Sequence, residues 1–254
     1  MGYPDVAWGI NELRDTFYGG VQEFLNTGSF TVPDNVYKIY VTACAAGASG
    51  GELSDFANPM CGGNAGEFIV RKPFMVNPGQ VIPITIGIGG VATGDYESYK
   101  SSPGGNTVIG SLITLKGGTN TIANNGGCRG GIPFNYAQEI TNTIIYVGVS
   151  AVSNGMNSSM ASGGRAGTSC TYTGGSSTYD NNAPGGCGGG ASLGHGGDGG
   201  DSVTGSGSPK RNPTNGGLGA GGGGCGSYAG HYDSSTDPLT KPGNGGKGYC
   251  LIEW

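Results

Sequence analysis

From residue 37 onward, apolar and polar positions alternate in short runs. Tyr37, Ile39, Val41 and Ala43 alternate with Lys38, Tyr40 and Thr42, the period of two that suits a half-buried strand. Glu67 to Val70 gives a second run, and Ile82, Ile84, Ile86 and Ile88 line one face of a third. Pro83 falls on the opposite parity and has no N–H for a ladder, which predicts an edge strand or a bulge. Val108 to Leu115 and Ile144 to Val149 are further candidates. The last six residues, Tyr249 to Trp254, read as a strand expected to return and pair with the early ones.

The first 28 residues follow another rule. Ile10, Phe17 and Phe24 recur every seven residues with Leu13 between them, an a/d seam over about two heptads. Asn11 to Asp15 is a good helix run, Gly19-Gly20 interrupts it, and Asn26-Thr27-Gly28 ends it. Two uses are open for this helix: packing on its own domain, or joining the module to a fibre as an oligomerisation segment.

Glycine changes the picture most. There are 57 in 254 residues, and 30 of them lie in the 95 residues from 153 to 247. In that stretch Phe, Leu, Ile and Val are reduced to Leu193, Val203, Leu218 and Leu239, so the core must come from elsewhere. Each glycine in regular structure costs roughly 0.5–1 kcal/mol relative to alanine, so a fold this rich in glycine must need it for geometry. The spacing says which geometry. Gly185, Gly188, Ala191, Gly194, Gly197 and Gly200 fall every third residue, as do Gly217, Ala220, Gly223, Gly226 and Ala229. Gly47/Gly50, Gly63/Gly66 and Gly87/Gly90 echo it. Three residues per turn is the period of polyproline-II-type helices, and a small residue at every third position lets them pack closely. The expected fold is all-β: a β-sandwich-like scaffold carrying an inserted bundle of polyglycine-II-like helices, preceded by a short N-terminal helix. The expected parts are a helical segment over 1–28, a β scaffold over 29–152 completed by 243–254, and the glycine-rich insertion over 153–242.

Charge and motifs exclude more than they assign. Twelve Lys and Arg residues are scattered and the formal net charge is −5, which argues against a nucleic-acid partner. No run of about 20 apolar residues predicts a membrane span, and Met1 to Asp5 does not read as a classical signal peptide. The seven cysteines form no CxxC pair; they read as reduced, buried, small side chains. His195 and His231 lie far from any cysteine pair, so neither a metal nor another cofactor is expected. With two histidines and none of the common hydrolase or phosphate-binding motifs, the chain is not expected to be an enzyme. Gly196 to Thr204 matches the calcium nonapeptide pattern once, but such sites need stacked copies.

Phe30-Thr31-Val32-Pro33-Asp34-Asn35-Val36-Tyr37-Lys38-Ile39-Tyr40-Val41 resembles the opening strand of glycine-rich modules in bacteriophage tail fibres. Gly62 to Phe68, Asn77-Pro78-Gly79-Gln80 with Ile84 to Gly90, Gly104 to Gly110, and Asn244 to Trp254 resemble the following pieces, in order. The resemblance covers roughly 29–118 and 243–254. It implies a sandwich-like scaffold, a virion location (extracellular when mature), and loops presented to a bacterial surface receptor, glycan or outer protein. Partner expectations follow: another virion fibre protein, and a homotrimer or docking on a trimeric fibre. The opening departs at Ala43-Cys44-Ala45-Ala46, where that family often has an aromatic and more glycine. Tyrosine set among Gly, Ser and Asn is the composition of binding loops. On that ground the candidate receptor-binding residues are Tyr228, His231, Tyr232, Tyr172, Tyr179 and Tyr136, and the candidate attachment residues are Ile10, Leu13, Phe17 and Phe24. The competing reading is a structural fibre or head-decoration protein with no receptor of its own.

Overall fold

The computed structural model describes residues 19–51, 61–93, 101–119, 155–167, 170–171, 182–183, 187–201, 203–204, 212–225, 228–229 and 241–254. These residues are all-β, with no α-helix among them. One antiparallel sheet holds β1 (Val21–Phe24), β12 (Tyr249–Glu253), β3 (Lys38–Cys44) and β4 (Phe68–Met75), in that order. The other holds β2 (Gly28–Thr31), β5 (Val81–Thr85), β6 (Thr107–Ile109) and β7 (Ile113–Leu115). β12 lies between β1 and β3, with Val21 opposite Glu253 and Ile252 opposite Val41.

The two sheets share one apolar core. The first contributes Phe24, Ile39, Val41, Ala43, Ile69, Cys250 and Ile252, and the second Phe30, Ile82, Ile84, Ile109 and Leu115. Alternation places these residues: β3 reads exposed–buried through Lys38, Ile39, Tyr40 and Val41, and β5 does the same through Val81, Ile82, Pro83 and Ile84. The Phe30 ring packs at 5.1 Å from that of Trp254, joining the second sheet to the chain's last residue.

Five expectations are corrected. Residues 21–24 form a strand, not a helix, and Phe24 is buried in the shared core, so it is not on an exposed heptad seam. The physical reason is that Gly19-Gly20 breaks any helix here and the free edge of β12 takes this backbone into a ladder. Ile10, Leu13 and Phe17 lie outside the described residues. Pro83 sits on an inner strand, neither at an edge nor in a bulge. Pairing with β6 reaches only Ile84 and Thr85, and the Pro83 carbonyl accepts the Gly110 amide at 2.8 Å. The row from Ile82 ends at Ile86, leaving Ile88 80 % exposed. Residues 108–115 are a hairpin, turned at Gly110 with φ +47°. Of the cysteines, 44, 187, 225 and 250 are buried, whereas Cys61 is disulfide-bonded. The run at 144–149 lies outside the described residues.

Beyond the sheets, glycine-rich segments bond to one another by a three-residue rule. Ala45, Ala48 and Gly51 donate their amides to the carbonyls of Glu67, Asn64 and Cys61. Ala46 and Ser49 donate to Gly105 and Ser102, and Gly47 and Gly50 to Gly246 and Gly243. Successive amides of one segment thus address three different neighbours in turn. The rule recurs where Gly194, Gly197 and Gly200 donate to Leu218, Gly221 and Gly224. Glycine is required by proximity: a Cβ on Gly47 would run into the Ala220 carbonyl, and one on Gly62 into that of Gly188.

The segments run alternately away from the sheets and back. Residues 45–51 leave β3 and 61–67 return to β4. Residues 87–93 follow β5, 101–105 lead into β6, 116–119 follow β7, and 241–248 lead into β12. Three further reversals are closed by backbone bonds from Ser158 to Ala161, Ser192 to Gly194, and Ala220 to Gly217. These reversals sit at the sheet end: the Ser192 hydroxyl donates to the Gly66 carbonyl, the Ser158 hydroxyl to that of Ser192, and the Gly66 amide to that of Gly219. The chain therefore passes residues 51, 93, 119, 167, 201 and 225 at the end opposite the sheets.

Candidate functional site

At that far end four short strands gather. β8 (Cys170–Thr171) pairs antiparallel with β9 (Asn182–Ala183), and β10 (Val203–Thr204) pairs parallel with β11 (Tyr228–Ala229). β10 also neighbours β8, and β11 neighbours β9. Four stretches of backbone widely separated in sequence thus meet in one place. Tyr228 opens β11; Tyr172 directly follows β8, Tyr179 shortly precedes β9, and His231 and Tyr232 follow β11. Tyr172, Tyr179, His231, Tyr232 and Tyr136 lie outside the described residues. What the fold brings together is the backbone from which four of them spring.

A second candidate is a polar cleft of about 730 Å³ on the flank of the glycine-rich segments, between 157–165, 194–198 and 214–217. Its side chains are held by main-chain bonds. The Arg165 amide donates to Asp198 Oδ1 at 2.6 Å, and the Arg165 guanidinium lies 3.6 Å from Asp198 Oδ2. The Asp198 amide donates to Thr214 Oγ1 at 2.7 Å, the Gly163 amide to Asn157 Oδ1 at 2.8 Å, and the Asn244 amide to Asn215 Oδ1 at 2.8 Å. His195 Nδ1 accepts from the Ser162 amide at 3.3 Å and faces the Ser162 hydroxyl at 2.9 Å.

Sequence reasoning passed over this cleft, weighing His195 as a zinc ligand and as a member of a catalytic triad. A signal was present. Ser162 and Arg165 are three apart, and so are His195 and Asp198, so each pair lies on one face of segments that repeat every three residues. What was missing was the parallel register that sets 162 beside 196 and 165 beside 199. Among the described residues no group of three or more His, Cys, Asp or Glu is placed to hold a metal ion. No helix among them is long and apolar enough to cross a membrane.

No characterised protein matches the chain in a comparison with curated sequences. A family model described as a glycine-rich domain matches residues 24–254, which takes in both sheets except the first three residues of β1, and the glycine-rich segments from residue 45 onward. The chain belongs to this glycine-rich domain family.

Proposed function

We propose that this chain is a non-enzymatic receptor-binding module of a phage virion, a tail-fibre adhesin that attaches to a bacterial surface through loops at the end away from its sheets. The observation that carries the reading is the common departure point of the chain at that end, with the roots of the Tyr172, Tyr179, Tyr228 and His231–Tyr232 stretches side by side. A rigid scaffold that projects several loops in one direction is the usual arrangement of binding surfaces. In this reading the glycine-rich segments are polyglycine-II-type helices packed in a bundle. The three-neighbour bonding and the backbone contacts at Gly47 and Gly62 support it. The two sheets form the sandwich-like base on the fibre side. Weak contact by one copy would be multiplied by several copies on the virion.

The test is binding of labelled protein to whole bacterial cells, before and after protease or periodate treatment. Saturable binding, lost on combined substitution of Tyr228, His231 and Tyr232 by alanine, is the expected result. Loss with protease would identify a protein receptor, and loss with periodate a glycan. A folded protein that binds no cell would favour the structural fibre or decoration role instead.

A further inference from the structure

We infer that the outer face of the second sheet, continued along residues 87–93, is a contact surface on which a second copy of this chain packs across a two-fold axis. The surface lies on the flank, apart from the loop end, and is independent of the reading given there.

The two sheets differ in what they turn to solvent. The first has a charged residue on every strand: Glu23 on β1, Glu253 on β12, Lys38 on β3, and Arg71 and Lys72 on β4. Strands β2, β5, β6 and β7 contain none. Their alternation sends Phe30, Ile82 and Ile84 into the core and leaves Ser29, Thr31, Val81, Pro83 and Thr85 exposed. Ser29 lies opposite Pro83 and Thr31 opposite Val81, so these side chains form adjoining rows on one face.

The segment after β5 prolongs that face. One side of it meets 101–105, where a Cβ on Gly87 or Gly90 would strike the Gly105 or Ser102 carbonyl. Another meets 241–248, where one on Gly89 would strike the Gly245 carbonyl. Gly90 also donates its amide to Gly47, in the segment that leaves β3. Segments 45–51 and 241–248 continue strands of the first sheet, and 101–105 leads into β6. The side left open therefore points away from the first sheet. Ile88 and Val91, three apart, occupy it and are 80 % and 45 % exposed. Exposed positions on the other glycine-rich segments include Ser162, Arg165, Thr214 and Lys247. With Val81 at 61 % exposed, the aliphatic positions run from one end of the face to the other.

Aliphatic side chains gathered on one face with no charge among them are the composition of an interface centre. The absence of charge also selects the partner. The face offers no charge pattern for a different protein to read, whereas two identical uncharged faces related by a two-fold axis bury no unpaired charge. The Ser and Thr hydroxyls both donate and accept, so each can bond its counterpart, and sheets pack face to face at about 10 Å. The face is about 35 Å long and about 15 Å wide. That is about 500 Å² on each copy and about 1,000 Å² over both, the size at which a specific interface begins.

The experiment is light scattering on the full chain as it elutes from a sizing column, loaded at about 1 μM and about 100 μM. A mass approaching twice 25.2 kDa at the higher load, falling toward 25.2 kDa on dilution, is expected. Ile88→Asp and Val81→Asp, made singly, each put a carboxylate into the contact at an exposed position. The fold should hold, as circular dichroism checks, and association should weaken at least about tenfold. The two substitutions lie on different segments, so if one fails to fold the other decides. Val21→Asp, 64 % exposed on the first sheet, is the control and should dimerise like the parent. A parent that stays monomeric at about 100 μM, a mass of three or more chains, full association in folded Ile88→Asp or Val81→Asp protein, or an equal loss in Val21→Asp overturns the proposal. The cell-binding assay with the Tyr228, His231 and Tyr232 substitutions reads the loop proposal separately, so the two can fail independently.

Discussion

Gly47 donates its amide to the Gly246 carbonyl at 2.9 Å, and the place its own side chain would occupy is filled by the carbonyl of Ala220. The contact is backbone on backbone, so no rotamer change can relieve it. Gly47→Ala should therefore cost about 3 kcal/mol or more, at the upper end of what overpacking usually costs. Gly79 is the control. It has φ +73° but nothing within 4 Å of an added Cβ, so Gly79→Ala should cost only about 1–2 kcal/mol, the left-handed penalty. Urea denaturation of the two variants beside the parent checks the ranking; similar losses would mean that the close approach at Gly47 is not what demands glycine.

Thr107 ties the second sheet to the end of β3 in the first sheet and to the glycine-rich segment after β5. It is fully buried; its hydroxyl donates to the Cys44 carbonyl at 2.9 Å and accepts the Gly87 amide at 3.1 Å. Thr107→Val keeps the shape but strands two buried backbone groups, at about 1–3 kcal/mol each. Thr107→Ser keeps the hydroxyl and should lose clearly less. Thermal melts of the pair decide it; equal losses would assign Thr107 a packing role only.

Arg71 adopts φ +46° where the β3–β4 register shifts between Val41 and Ala43. Its guanidinium bonds Glu253 at 3.0 Å and lies over the Tyr40 ring at 5.4 Å. The side chain is 62 % exposed, so the ion pair contributes only about 0–1 kcal/mol. The left-handed backbone costs an L residue about 1–2 kcal/mol. Arg71→Gly should accordingly be more stable than Arg71→Ala by about 1 kcal/mol, since both lose the pair and only glycine loses the strain. If Arg71→Ala is the more stable of the two, the bulge conformation is not strained.

Burial pushes the Cys44 thiol up to about 12, with the nearby Cys250 adding to the shift; burial alone pushes Cys250 to about 12. Both thiols ordinarily ionise near 9.0. Between these values the unfolded chain loses protons that the folded chain keeps, so stability is full below pH 9 and falls as pH rises from 9 toward 12. A Cys44→Ala, Cys250→Ala double variant should show a shallower fall over that range. In the folded parent, both thiols should resist a thiol reagent below pH 9 and react only after denaturation. Rapid labelling without unfolding would contradict the burial.

The strands that were legible in the sequence are those with one wet face. Ile39, Val41 and Ala43, or Ile82 and Ile84, alternate with polar neighbours because each sheet covers one side of a single core. Phe24 was misread because heptad spacing and a short strand use the same few apolar residues, and pairing with β12 decides between them. Tyr228 and the residues around it could be named as binding candidates by composition, but nothing local says that β8 to β11 meet.

By itself the sequence determined a small β core, a chain that can approach itself where every third residue is glycine or alanine, and a lack of basic or membrane-spanning stretches. Only the tertiary structure decided which segments are neighbours, because a glycine at position 47 is equally able to face any backbone. The same holds for the flank cleft: Asn157, Arg165, His195, Asp198, Thr214 and Asn215 are ordinary polar residues until the packing of distant segments gathers them around one space. Glycine fixes how close two backbones can come, and long-range hydrogen bonding fixes which two they are.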